Sequence, residues 1–361
     1  MQSEWKEKVS ILINKGKENE ALPIVNKILE ENPNSKEALF LKAQIYDQHL
    51  NYTSALKTYQ KVLSLYEERE DLEKQAEIFG SIGELYSILN DVQNSINNYS
   101  IMLEKIELID EPLSDHIKDL RASKLGDLAS FAIEKQNYEQ ALEYYRVLIQ
   151  AHQKSNIKSA LIKDYKNIGD LYFTQKKYSN SKKYYSLALE ECRKLESQYI
   201  EPNIQYKLAN VLVQMEEYDD AVKHLEIGLN LLKKIELKRP LFEKNSFEDY
   251  ESINRLLKKV VLKMSQKAFE LIQEGENNSA RKICEKLLHI IDKHKYHKVQ
   301  AKVYYCMAKI ALTKVDIKNA KIHLQQSIQA LKQINNYRKS ELFSIIKSLL
   351  QDMKELQKEK E

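Results

Sequence analysis

An all-α fold of about eight antiparallel helix pairs, closed by a C-terminal helix, is predicted by three observations on this sequence of 361 residues. The first is a repeated spacing. Eight times a small residue on one apolar stripe is followed twelve positions later by another: Val9/Ala21, Ala43/Ala55, Gly83/Ser95, Ala129/Ala141, Gly169/Ser181, Ala209/Ala221, Ala268/Ala280 and Ala308/Ala320. Only the first pair opens with a larger side chain, Val9. The second is period: Phe79, Ile82, Gly83 and Tyr86 share one helical face, Asn90–Asp91 interrupt it, and Ser95 and Tyr99 carry a second stripe. The figure returns at Tyr165, Ile168, Gly169, Tyr172, Ser181 and Tyr185, and it reads as helix, tight turn and antiparallel helix. The third is composition. With 7 Gly, 5 Pro, 30% charged residues and abundant Lys, Glu, Leu, Ile and Ala, strands have no evident place.

A fixed offset between small residues, kept while the surroundings vary, is what close packing of two short helices demands. At this point the chain resembles the tetratricopeptide-repeat family, whose unit reads W-x2-L-G-x2-Y, then A-x3-F, then P. Trp5, Leu12, Ala21, Val25 and Pro33 supply the pattern in the first copy, and Leu39, Tyr46, Ala55 and Tyr59 in the second. The resemblance covers about residues 2–337 and departs from the pattern at Lys8 and Lys42, where the family has Leu. It implies a right-handed superhelical α-solenoid whose core lies between neighbouring repeats.

Taken in order, the small residues of the second helices are spaced by 34, 40, 46, 40, 40, 59 and 40 positions. The six extra residues of a 40-residue copy fit less than one more turn on each helix. The 46 reflects a connector at Ile109–Pro112, with Pro112 expected in the first turn of the next helix and Pro202 doing the same for the sixth copy. Gly16 and Gly275 fall just before a second helix, where a helix end favours a left-handed residue. The 59 is the main discontinuity. Residues 241–246 have no helical period, and Ser246 with Asp249 suggests a cap for a helix running from Phe247 to about Gln273. A domain boundary is therefore expected at a connector, 238–246, between six repeats in 1–237 and two basic repeats plus a cap in 247–361. Charge changes there too: residues 253–361 hold 23 Lys+Arg against 11 Asp+Glu, so with +4 overall the first 252 residues carry −8. After the eighth copy, Leu342, Ile345, Ile346, Leu349, Leu350, Met353 and Leu356 form one stripe, the capping helix a solenoid needs.

Catalytic apparatus is not visible, since no Gly-rich phosphate loop, H-E-x-x-H or G-x-S-x-G appears. Neither a cofactor nor an enzymatic activity is expected. Cys192, Cys284 and Cys306 are odd in number and lack a C-x-x-C, arguing against a disulfide framework or a zinc site, and Cys284 reads as core. His289, Asp292, His294 and His297 cluster near Cys284, but Lys293, Lys295 and Lys298 would repel a cation, so this reads as a solvated basic loop and no metal site. Met1 leads directly into the Trp5 helix, and no apolar run has the roughly 18 residues of a membrane span, which predicts a cytoplasmic protein.

In the family resembled, ligands lie along the concave surface of the first helices. That implies candidate partner-binding residues Lys166, Asp170 and Phe173 in copy five; Tyr206, Asn210 and Gln214 in copy six; and Lys302, Tyr305 and Lys309 in copy eight. Asn210 beside Tyr206 suits an extended peptide, because an amide both donates to and accepts from a backbone. The same slots of the first three copies hold Lys6 and Ser10, Phe40 and Gln44, Gly80 and Glu84, so the Lys/Asn clamp used by members that hold a chaperone's C-terminal carboxylate is absent. The expected function is a scaffold or adaptor for a protein or peptide partner. Alternatives are a peptide-sensing regulator, resembling bacterial receptors with such repeats, and a nucleic-acid-associated subunit acting through the basic half.

Overall fold

A computed structural model describes residues 4–66, 70–110, 112–195, 199–238 and 243–358. Two compact units divide the chain, Met1–Asp164 and Tyr165–Glu361. The first holds four helix pairs: α1 (Glu4–Asn14) with α2 (Glu18–Glu31), α3 (Lys36–Gln48) with α4 (Tyr52–Leu63), α5 (Leu72–Ile88) with α6 (Val92–Glu107), and α7 (Asp115–Glu134) with α8 (Tyr138–Lys154). α9 (Lys158–Thr174) begins there and continues into the second unit, pairing with α10 (Tyr178–Leu195). The second unit adds α11 (Glu201–Gln214) with α12 (Tyr218–Lys238), α13 (Glu243–Gln273) with α14 (Asn277–His294), α15 (His297–Thr313) with α16 (Ile317–Lys332), and α17 (Glu341–Lys358). The architecture is all-α, with no strand among the described residues.

The spacing rule has a direct physical cause. Each small residue of the sequence pattern is buried, the eleven alanines and Val9, Ser95 and Ser181 at 0% exposure and Gly83 and Gly169 with them. At the glycines the reason is a ring: a Cβ on Gly83 would sit 2.5 Å from Tyr99 Cδ1, and one on Gly169 2.6 Å from Tyr185 Cε1. Ser181 Oγ donates to the Gly169 carbonyl at 2.8 Å, stitching the same crossing.

Every turn inside a pair is built the same way. The residue five before the second small residue is left-handed in all eight: Gly16, Leu50, Asn90, Gln136, Lys176, Glu216, Gly275 and Val315, with φ between 58° and 84°. The next N–H then reaches back to the carbonyl five residues earlier, for example Asn51 to Tyr46 at 2.8 Å and Asn137 to Ala132 at 2.7 Å, which satisfies a carbonyl that the helix end leaves open. Asn51, Asp91, Asn137 and Asp316 use their side chains to cap the helix that follows. Glycine occupies this slot as expected at Gly16 and Gly275.

Two sequence expectations meet a different local structure. Pro112 does not open a helix: α7 starts at Asp115, and Ser114 is its cap, accepting from the Ile117 N–H. Pro202 does sit in the first turn of α11. α13 begins at Glu243, so it starts ahead of Phe247 and its 31 residues span roughly 45 Å. Residues 239–242 of the expected connector lie outside the described residues, as does the Ser246 side chain. The helices on either side of it pack together within the second unit, where a Cβ on Gly228 of α12 would meet Ile253 of α13 at 3.1 Å.

α17 closes the last pair. Ile346 is fully buried and Met353 nearly so, in one cluster with Ala301, Tyr305, Ala308, Ala320 and Leu324, while Leu342, Leu349 and Leu350 pack half-buried on its edge. Ile345 stands 40% exposed, off the stripe, and the Leu356 side chain lies outside the described residues.

Candidate functional site

In the second unit, α9 and α11 approach closely enough to share one carboxylate. Asp170 Oδ2 lies 3.1 Å from Lys166 Nζ one turn earlier, and its Oδ1 accepts from Lys207 Nζ of α11 at 2.7 Å and from the Tyr185 hydroxyl of α10 at 2.5 Å. Burial pushes the Asp170 carboxyl up, but the bonds from Lys207 and Tyr185 and the nearby positive charges outweigh it, holding the group below the usual carboxylate range. Burial, then the bond to Asp170, pushes the Tyr185 phenol up, so it stays a donor. Lys166 and Asp170 therefore meet each other and hold three helices together. Phe173 is half-buried with its ring 5.8 Å from Tyr178.

One turn along α11 the picture differs. Tyr206 and Asn210 are half-buried, Gln214 is exposed, and no other described group bonds to the three side chains. Their polar atoms are available. In the last pair, Lys302 is exposed, while Lys309 sits 5.7 Å over the Phe269 ring and 5.5 Å over that of Tyr305. Tyr305 does not face solvent: at 7% exposure it belongs to the cluster that α17 closes.

The first unit holds a cavity of about 360 Å³ on this same face, whose importance sequence reasoning missed. Its polar lining includes Ser10, Asn14, Gln44, Asp47 and Gln48. These fall one, four or five positions after Val9 and Ala43, the slots that hold Asp170, Phe173, Asn210 and Gln214 in copies five and six. The signal was present in the two amides, Asn14 and Gln48, at matched positions, while Ser10 and Gln44 had served only to exclude a carboxylate clamp. Burial, helped by the charge of Glu84, pushes the Asp47 carboxyl up. Ion pairs join successive first helices here as well: Lys6 to Glu37 at 3.0 Å, and Glu84 to Lys124 at 2.8 Å.

Among the described residues no group of His, Cys, Asp and Glu is arranged to hold a metal ion, and Cys192, Cys284 and Cys306 are free, buried thiols.

Comparison with known proteins agrees with this architecture. Tetratricopeptide-repeat models match residues 37–68 and 165–194. A human protein, intraflagellar transport protein 88 homolog, is 26% identical over 167 residues, which are 46% of this chain and 20% of that protein, so the match spans about a fifth of the relative. The apo form of RapI superposes with a TM-score of 0.51 at 18% identity, covering 87% of this chain and 80% of its own, a likeness of fold. BtubC from P. vanneervenii gives a TM-score of 0.48 at 14% identity, over 63% of this chain and 92% of that one. With matched repeats in both units and small residues buried at eight successive helix crossings, the chain carries tetratricopeptide repeats.

Proposed function

We propose that this protein is a non-catalytic scaffold or adaptor that binds another protein, or an extended segment of one, along the inner faces of its first helices. The cavity lined by Ser10, Asn14, Gln44, Asp47 and Gln48 carries the reading. An extended peptide entering it gives up water at each backbone N–H and C=O, and a group left unmet costs about 1–3 kcal/mol. Amides and hydroxyls that both donate and accept meet either group without requiring charge on the ligand. Asn210, free at the slot of the second unit that matches Ser10 and Gln44, and Tyr206, free one turn before it, support the same use. The proposed location is the cytoplasm, where the three free thiols would stay reduced. No helix among the described residues is long and apolar enough to cross a membrane.

The test places a photo-crosslinking residue at Gln44, at Asn210 and, as a control, at exposed Lys57 on α4, in the protein expressed in its native cell. The reading expects one protein captured from Gln44 or Asn210 and not from Lys57. Capture from Lys57 alone would move the partner to the outer face, and nuclease-sensitive recovery would replace the reading with a nucleic-acid one.

A further inference from the structure

The second unit contains a larger cleft, of about 720 Å³, away from the first-helix slots. It opens among the C-terminal end of α12, the first turns of α13 described in side-chain detail, and the turn from α14 to α15. Lys233, Arg255, Lys258 and Lys295 all line it, and among the described residues none of the four has an ion-pair or hydrogen-bond partner. Among the described residues Glu251 is the one carboxylate in the lining, while Lys293 is already matched by Glu226 at 2.9 Å. Cations that outnumber the carboxylates in one concave space repel one another, and a concave wall strengthens their joint field.

A second, independent observation comes from two stacked rings on the same wall. His294 and Tyr296 lie 5.7 Å apart and 17° from parallel; the Tyr296 hydroxyl is buried with no hydrogen-bond partner, and His294 Nε2, buried too, makes no hydrogen bond, with Glu226 Oε1 3.8 Å away. Buried polar atoms without partners are uncommon enough to need a reason. Burial lowers the His294 pKa, with the Glu226 charge opposing it, and the tautomer that carries its proton on Nε2 would donate from that atom. The lysines that make this segment unfit for a metal ion suit the opposite charge.

We propose that this cleft is a binding site for a small polyphosphate anion. Arg255 supplies a planar fork matched to phosphate oxygens, the three lysines supply point charge, and Tyr296 and His294 donate to oxygens on the buried side. The cleft volume is that of a site for one small molecule. This site is independent of the proposed peptide groove.

The experiment is calorimetric titration of the full chain with inorganic tripolyphosphate at low and at physiological salt. One site is expected, weakening with salt. Arg255→Gln with Lys258→Gln should weaken it by at least about tenfold, and Tyr296→Phe by roughly 3- to 10-fold with no change in charge. Lys321→Gln, a change on α16 outside the cleft, should bind as wild type does. ATP titrated in parallel separates sources: tighter binding than tripolyphosphate identifies a nucleotide, and equal binding a bare polyphosphate. Because Arg255 and Lys258 are exposed, their variants should melt no lower than wild type. Absence of binding heat, wild-type affinity in the double variant, or equal weakening by Lys321→Gln would overturn the site. Tighter binding of a single-stranded RNA oligomer that survives the double variant would also overturn it.

Discussion

Replacing Gly169 by alanine puts a methyl group into the ring of Tyr185. The added Cβ would stand 2.6 Å from Cε1, 2.7 Å from Cδ1 and 3.1 Å from Cγ, closer than carbon atoms approach. Tyr185 is 2% exposed and cannot swing into water, and its hydroxyl is bonded to Asp170, so moving the ring also loosens that bond. In an unobstructed helix the same change would stabilise by about 0.8–1 kcal/mol, because glycine is the poorer helix former. Against this, overpacking costs about 1–3 kcal/mol, and loss of a hydrogen bond to a charged group about 1.5–3 kcal/mol if it breaks fully. A net destabilisation of about 2 kcal/mol is expected, or roughly 4–8 °C in Tm for a unit of this size. The internal control is Gly126 in α7, whose Cβ would meet nothing within 4 Å, so Gly126→Ala should stabilise by about 0.5–1 kcal/mol. Urea unfolding followed by circular dichroism on both variants gives opposite shifts of midpoint if the crossing is as described. A Gly169→Ala variant as stable as wild type would falsify the claim that Tyr185 locks this crossing.

Val315→Gly should stabilise by about 1 kcal/mol in the same assay, because a β-branched residue at φ 59° and 77% exposure bears strain and makes little contact; an unchanged midpoint would show that the turn relaxes without cost. Asp170 has a lowered folded pKa, so its contribution is fully present above the ordinary carboxylate value, about 3.9, and disappears as pH falls through the folded value. The stability gap between wild type and Asp170→Asn should therefore be widest near neutral pH and close in strong acid; a gap that grew with acidity would contradict the pairing. Limited proteolysis should cut first within the proposed connector, 238–246, whereas a first cut near residue 164 would put the weakest link at the boundary between the compact units.

The helix pairs were legible because one requirement, backbone approach at a crossing, filters residue size strongly enough to leave a mark at Ala43, Gly83, Ala129 and their counterparts. The left-handed turns were legible only at Gly16 and Gly275. At Leu50, Gln136 and Val315 the flanking helices and the back-reaching N–H impose the conformation, and the side chain announces nothing. Lys166 and Asp170 were correctly placed at one turn's spacing, but their engagement by Lys207 and Tyr185 depends on helices distant in sequence. Tyr305 occupies the same slot as Tyr206 and is buried, because the last pair alone is sealed by α17. The basic cleft had left a trace as lysines around His294, without any hint of the Lys233 and Arg255 that complete it.

The charged links between successive first helices, Lys6–Glu37, Glu84–Lys124 and Asp170–Lys207, give each unit a mechanical character that its apolar interior lacks. The interior resists compression and barely responds to solvent, whereas the Lys6–Glu37 link is half-exposed and weakens as the Debye length shrinks from about 10 Å at 0.1 M salt to 3 Å at 1 M. Each of these three neighbouring pairs of repeats is thus packed on a stiff core and tethered by an ionic link along one edge. Raising salt slackens that edge first, letting neighbouring repeats within a unit fan apart by small angles while every helix stays folded.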